Sequence, residues 1–108
     1  MAWVEATGVW KGKEIKVEVE LWSSRRNVYK KVRYYLDGER VTRAKKEIKE
    51  LVKDAPEILF ANTYFWTPFW GNAGERERYA EKLLKPLAEF FKRKGFEVIT
   101  SWNEEKEE

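Results

Sequence analysis

A group of charged residues near the start of the chain has the types and spacing of a magnesium-dependent hydrolytic site. Glu14-Ile15-Lys16 places a carboxylate two residues before a lysine, with Glu18 at the same parity and Glu5 upstream. Carboxylates can hold a magnesium ion that activates water, and the lysine can stabilise developing charge. The chain has no His and no Cys, which removes zinc chemistry, disulfides and the usual partner of a nucleophilic Ser. We predict no catalytic residues, no metal and no cofactor, with a magnesium-dependent nuclease as the rival hypothesis.

Aromatic rings are a second set of residues that could bind a ligand. The 108 residues include six Trp, five Tyr and six Phe, and the stretch "FANTYFWTPFWGN", residues 60–72, is the densest in rings. Rings beside cations can stack on nucleic-acid bases or dock a protein partner. The same rings can instead close one end of a small core. Both interpretations are kept for this loop.

The charge balance bounds the class of protein. The 22 Lys and Arg residues exceed the 19 Asp and Glu residues by three, and four Glu with one Lys form residues 104–108. The body before this tail is therefore modestly basic, which suits polyanions but also suits ordinary solubility. The sequence has no apolar run of about 18 residues and no signal-peptide pattern at its start. We expect a cytoplasmic protein with one domain over residues 1–103, an acidic tail over 104–108 and no membrane partner.

Three strands are predicted in the first third of the chain. The stretch "EIKVEVELW", residues 14–22, alternates apolar and charged residues, as expected of a strand with one buried face. Residues 2–10 and 28–36 show the same alternation. If Gly12 and Lys13 form the first turn, the apolar parities of the first two strands coincide. In that register Trp10 pairs with Ile15, Ala6 with Val19 and Val4 with Leu21.

The rest of the chain predicts two helices and two strands. Apolar residues recur at helical spacing over 41–55, where Pro56 ends the helix, and again over 72–95. Residues 57–65 contain the continuous apolar run 58–61, as expected of a strand covered on both faces, and residues 96–102 form the last strand. The predicted class is α+β, with two layers and the order β-β-β-α-β-α-β. Right-handed crossovers would place both helices on one face of a mixed five-stranded sheet.

The sheet face turned away from the helices is predicted to be open to water or to a partner. We call it the open face; its residues are Trp3, Glu5, Thr7, Lys16, Glu18, Glu20, Trp22, Tyr29, Lys31, Arg33 and Tyr35. Aromatics interleaved with cations suit single-stranded nucleic acid, although the acidic residues on the same face would repel phosphate. The alternatives are unlike charges sharing a wet face, or a dimer that buries the rings.

Two further basic regions are candidates for anion binding. The aromatic loop enters a helix N-terminus, where Arg76 and Arg78 could hold a phosphate or carboxylate against Trp66, Phe69 and Trp70. The first helix carries a run of cations that could contact a phosphate backbone or could simply be solvated. This run consists of Arg40, Arg43, Lys45, Lys46, Lys49 and Lys53.

Two resemblances bear on function. Three strands, a helix and a strand resemble the core order of restriction-endonuclease-like nucleases, whose acidic-x-Lys pair corresponds to Glu14 and Lys16, with Glu5 and Glu18 nearby. That resemblance implies magnesium-dependent cleavage. In general appearance the chain also resembles small uncharacterised proteins of hyperthermophilic archaea, because it is rich in Lys and Glu and has no Gln. That resemblance implies thermostability and no particular activity.

The sequence therefore predicts a non-enzymatic, thermostable binding module that acts through exposed aromatic and basic residues. Its partner would be a macromolecule or a second copy of the chain, with weak nucleic-acid binding as an alternative. The candidate binding residues are Trp22, Tyr29, Arg33, Tyr35, Trp66, Phe69, Trp70, Arg76 and Arg78.

Overall fold

Short turns and alternating apolar residues organise the chain into one antiparallel sheet with helices. The computed structural model describes residues 1–24, 27–62, 64–66 and 73–102. The elements are β1 (Ala2–Trp10), β2 (Lys13–Ser24), β3 (Asn27–Leu36), β4 (Glu39–Val41), α1 (Lys46–Leu51), a 3₁₀ helix (Glu57–Phe60), β5 (Tyr64–Trp66), α2 (Ala73–Arg93) and β6 (Glu97–Thr100). The predicted α+β class is confirmed.

Every strand pair in the described residues is antiparallel. The sheet order is β4-β3-β2-β1-β6, and β5 also pairs with β3. Since β2 occupies one edge of β3, β4 and β5 share the other edge, at residues 34–36 and 27–29 respectively. The prediction that the sheet is mixed is wrong, because β6 pairs antiparallel with β1 and no parallel crossover joins the two strands.

The turn between β1 and β2 differs from the predicted one. Lys11 and Gly12 form it, with φ values of 51° and 81° that match a two-residue hairpin turn. Trp10 therefore pairs with Lys13, and Val4 with Val19. The predicted register was wrong by two residues. A shift of two keeps every side chain on its own face, so the apolar pattern could not detect it.

Most of the first predicted helix, residues 41–55, is not helical in the structure. Asp37 and Gly38, both with positive φ, form a second two-residue turn that leads into β4. Helix α1 then covers only Lys46–Leu51. An Asp-Gly pair is a strong hairpin signal, and it takes the residues after it into a strand rather than into a helix.

The predicted strand over residues 57–65 is also wrong for most of its length. Residues 57–60 form the 3₁₀ helix, and only Tyr64–Trp66 pairs as a strand. Ile58 and Leu59 are buried and Phe60 is exposed. A short apolar run does not distinguish a buried strand from a buried helical turn, which explains the error.

One core lies between the sheet and the helices. Alternate residues of β1, β2 and β3, among them Val4, Val17 and Val28, are buried against Leu51 of α1 and Leu87 of α2. The second predicted helix is confirmed as α2. None of the described helices is long and apolar enough to cross a membrane.

A close contact joins β1 to the segment after α2. A Cβ atom added to Gly8 would lie 2.7 Å from Cγ of Phe96, so only glycine lets the ring pack there. Phe96 is buried and its ring lies 5.8 Å from that of Phe91. This contact positions the start of β6.

Candidate functional sites

The open face keeps the predicted residues together on β2 and β3. Trp22 pairs across the strands with Tyr29, Glu18 with Arg33 and Lys16 with Tyr35. Residues paired in this way point to the same side of an antiparallel sheet. The core residues of β2 and β3 lie on the alternate positions, facing the helices. Four candidate residues of the sequence prediction therefore share one surface.

A chain of ion pairs runs across the middle of the open face. Lys16 lies 3.7 Å from Glu5 and 3.3 Å from Glu18, while Arg33 lies 3.6 Å from Glu18 and 3.0 Å from Glu20. The hydrogen bond from Lys16 to Glu18, followed by the charge of Glu5, raises the pKa of Lys16. The hydrogen bond to Glu20 raises the pKa of Arg33. Three carboxylates thus share two cations, so the charge of Lys16 and Arg33 is already neutralised and attracts a polyanion little.

Aromatic rings occupy one end of the same face. The rings of Trp22 and Tyr29 stack with centroids 5.9 Å apart and an interplanar angle of 21°. Trp22 keeps 38% of its surface exposed. Ile99, on the edge strand β6, is also exposed, and it pairs with Glu5 of β1. The open face therefore combines an ionic centre with exposed apolar groups.

The loop candidates do not join this surface as a described cluster. The backbone of Trp66 pairs with Asn27 at the end of β3. Phe69 and Trp70 lie outside the described residues. Arg76 is half-buried and Arg78 is exposed on α2, in the helical layer. The anion site predicted at the aromatic loop therefore stays a prediction.

The residues of the nuclease hypothesis are only partly brought together. Glu5, Lys16 and Glu18 are neighbours, with the lysine paired to both carboxylates. Glu14 lies by a hairpin end, where its backbone N–H donates to the Asp37 carboxylate. Within the described ranges, no group of three or more Asp or Glu side chains is placed to hold a metal ion.

A second candidate site, which the sequence did not predict, lies where the outer edge of β3 is interrupted. Strand β4 covers that edge up to Tyr34 and β5 covers it up to Tyr29, so residues 30–33 of β3 face neither strand. An open cavity of about 1410 Å³ occupies this region. It is bounded by β3, by the turn before α1, by α1 with the two residues after it, and by the 3₁₀ helix with the two residues after it. We call it the edge cleft.

Lys30 forms the base of the edge cleft. Its side chain points to the core side of β3 and is 7% exposed. The ammonium donates hydrogen bonds to the carbonyl oxygens of Ile58, Leu59 and Ala61. Burial, and secondly the charge of Arg43, lowers the pKa of Lys30 to about 8. Lys30 is therefore a structural tether that also brings positive charge under the cleft.

The remaining lining is cationic and apolar. The cations are Lys30, Arg43, Lys49 and Lys53, and the larger apolar or aromatic residues are Val32, Tyr34, Val52, Leu59 and Phe60. No Asp or Glu of the described ranges contributes. The guanidinium of Arg43 lies 4.9 Å from the ring centroid of Phe60. Burial raises the pKa of Tyr34, an effect that the charge of Arg43, and secondly a hydrogen bond with it, opposes. Such a lining suits an anionic group attached to an apolar body.

One sequence signal could have pointed to this site. Lys30 stands at the same parity as Val28, Val32, Tyr34 and Leu36, so a lysine interrupts the apolar face of β3. A lysine in that position needs buried acceptors or a route to the surface. The sequence could not show which carbonyl groups supply the acceptors, because they lie 28 to 31 residues further along the chain.

Comparisons of the chain with protein-family models, with curated proteins and with solved structures found no match.

Proposed function

We propose that this chain is a non-enzymatic binding module that takes a compact organic anion in the edge cleft. The observation that carries the proposal is the charge of the lining: among the described residues, four cations and no carboxylate surround a cavity of about 1410 Å³. On the open face, by contrast, the carboxylates Glu5, Glu18 and Glu20 accompany Lys16 and Arg33.

Two lysines are the direct partners for the anion. Lys49 and Lys53 are exposed at the rim of the cleft, and neither forms an ion pair among the described residues. Their ammonium groups are therefore available to a carboxylate or phosphate. Lys30 acts differently, because its donors are directed to three carbonyl groups. It contributes charge from below without touching the ligand.

The apolar walls specify the rest of the ligand. Phe60 is 42% exposed and Arg43 lies over its ring, so the guanidinium is held beside the cavity. Val32 and Tyr34 supply the opposite wall from β3. Because β4 and β5 cover the sheet edge on either side, the site suits a short ligand, such as an aromatic carboxylate or phosphate monoester.

The proposal is tested by titrating phenyl phosphate, benzoate and neutral benzyl alcohol into the ¹⁵N-labelled protein. We expect both anions to shift the amide signals of Val32, Ala44 and Leu59, and the alcohol to bind more weakly. Lys49→Gln should weaken anion binding by roughly fivefold, since one charged contact is lost. Lys46→Gln is the matched control, because Lys46 is exposed on the same helix and does not line the cleft.

Three results would overturn this proposal. They are equal affinity for benzyl alcohol and the anions, equal effects of the two lysine substitutions, or no shift at the cleft amides. A difference between benzoate and phenyl phosphate identifies which anionic group the cleft prefers. Activity in a cleavage assay with magnesium, lost in Glu14→Gln, would support the nuclease hypothesis instead.

Weak binding of single-stranded nucleic acid is a second candidate. Lys45 and Lys46 are exposed beside Lys49, so the cations continue from the cleft along α1. Phosphate contacts release counterions, and the affinity would then fall steeply with salt. A titration of an oligonucleotide at several salt concentrations tests this candidate. In Lys46→Gln the slope of affinity against salt should decrease, whereas binding of phenyl phosphate should not change.

A further inference from the structure

On the open face, β2 and β3 carry side chains that complement each other across the strands. Four cross-strand rows on β2 and β3 are Lys16 with Tyr35, Glu18 with Arg33, Glu20 with Lys31, and Trp22 with Tyr29. In the two central rows β2 provides the acid and β3 the base. In the last row each strand provides an aromatic ring. The two strands thus carry complementary sequences of side chains.

We propose that the open face is the interface of a homodimer whose twofold axis runs parallel to β2 and β3. Rotation about such an axis places β2 of one copy over β3 of the other and keeps each row at its own height. Glu18 then faces the second copy's Arg33, Glu20 faces its Lys31, and Trp22 faces its Tyr29. Sheets that pack face to face with nearly aligned strands have this arrangement.

The exposure of individual side chains supports a second copy as the occupant. Lys31 is exposed and has no ion pair in the described part of the chain, and Glu20 is half-exposed beside it. Both can form a new pair across the interface without losing the pairs inside each copy. Trp22 and Ile99, exposed on the same face, would be shielded from water.

Other occupants fit the face less well. A nucleic-acid strand would meet the carboxylates Glu5, Glu18 and Glu20, which offset the cations Lys16, Lys31 and Arg33 of the same face. An acidic protein would meet the same repulsion. A second copy is the partner whose charges match by symmetry, because each copy offers acids on β2 and bases on β3. This inference does not depend on the edge cleft binding an anion.

Sedimentation velocity over a range of concentrations tests the dimer. The wild-type protein should associate as its concentration rises. Glu20→Lys would place two lysines opposite each other across the axis, and Lys31→Glu would place two glutamates there. Each should raise the dissociation constant by at least about tenfold. Lys46→Glu is the control, because it reverses the charge of an exposed lysine in the helical layer and should leave association unchanged.

Mixing the two variants gives the sharpest result. In a mixed dimer the lysine introduced at position 20 faces the glutamate introduced at position 31, and the native Glu20 and Lys31 face each other. The mixture should therefore associate more tightly than either variant does alone. A wild-type protein that stays monomeric, or a mixture that fails to associate, would overturn the proposal. A monomer that binds oligonucleotide through Trp22 would assign the face to nucleic acid instead.

A third variant covers the case in which a charge reversal unfolds the chain, as judged by circular dichroism. Trp22→Ser removes the ring that faces the second copy's Tyr29 and keeps every charge. It should raise the dissociation constant at both low and high salt. Unchanged association in folded Trp22→Ser would contradict the interface.

Discussion

The side-chain nitrogen of Lys30 lies 2.8 Å from the carbonyl oxygen of Leu59, so a lysine on β3 is tied to the 3₁₀ helix. The carbonyl oxygens of Ile58 and Ala61 accept from the same ammonium. The carbonyl group of Leu59 lies in the last turn of this helix, where carbonyl acceptors need partners from elsewhere. One side chain thus holds the wall of the edge cleft against the sheet.

Removing this tether should open the wall locally. In Lys30→Met, we expect the amides of Leu59 and Ala61 to exchange their hydrogens about tenfold faster or more, because the segment loses its link to β3. Amides in the middle of α2 should keep their rates. Hydrogen exchange followed by NMR measures both. Lys31→Met is the matched control, since its side chain lies on the opposite face; similar acceleration in the control would contradict the tether.

The charge of Lys30 should respond to Arg43. Because Arg43 contributes to lowering the pKa of Lys30 to about 8, Arg43→Gln should raise that pKa, while burial keeps it below 10.5. NMR titration of ¹³C-labelled lysine side chains measures it. Arg40→Gln, on the exposed strand β4, is the control. An unchanged Lys30 pKa in Arg43→Gln would show that burial alone sets it.

The same pKa gives a pH dependence of stability. The folded pKa of Lys30 is about 8 and its ordinary value is 10.5, so between these values the unfolded chain binds more protons than the folded one. The contribution of Lys30 to the free energy of unfolding should therefore rise with pH across this window. Denaturant unfolding of the wild-type protein and Lys30→Met at several pH values isolates the contribution. A difference that falls with pH would contradict it.

Gly8 should be intolerant of a side chain. Gly8→Ala places a methyl group 2.7 Å from the Phe96 ring, and overpacking of this kind costs about 1–3 kcal/mol of unfolding free energy. In a Phe96→Ala background the added methyl group should cost much less. Denaturant unfolding of the four combinations measures this coupling. Equal costs in both backgrounds would mean that the ring is not the obstacle.

The ion pairs of the open face should make a small, salt-sensitive contribution to the stability of the fold. Arg33→Met removes the cation that Glu18 and Glu20 share, and should lower the thermal midpoint by no more than a few degrees at low salt. The loss should shrink at high salt, where the charges are screened. Arg40→Met is the control, because Arg40 has no ion pair in the described ranges. A loss that does not depend on salt would indicate packing instead.

The parts of the fold that follow from periodicity could be predicted from sequence. Alternation along residues 14–22 and 28–36 identified β2, β3 and the face on which Trp22 and Tyr29 lie. The apolar stripe of α2 was equally clear. Alternation has a period of two, however, so it could not choose between the predicted pairing of Trp10 with Ile15 and the observed one with Lys13.

The edge cleft could not be predicted because it depends on contacts between distant segments. Lys30 and Leu59 are in contact although β4 and α1 lie between them in the sequence. The run from Ile58 to Ala61 is compatible with a strand or a helical turn, and the choice depends on this contact. The local sequence pattern therefore predicted the open face but did not predict the edge cleft.

The pairing of Val4 with Thr100 has a kinetic consequence. The hairpins β1–β2 and β3–β4 close through turns of two residues, so they can nucleate early from neighbouring stretches of chain. The edge of the sheet at β1 is completed only when β6, more than 90 residues away in sequence, pairs with β1. This pairing requires a large loss of chain entropy. We therefore expect refolding to be limited by the arrival of β6, whose amides should be the last in the sheet to gain protection in pulse-labelling experiments.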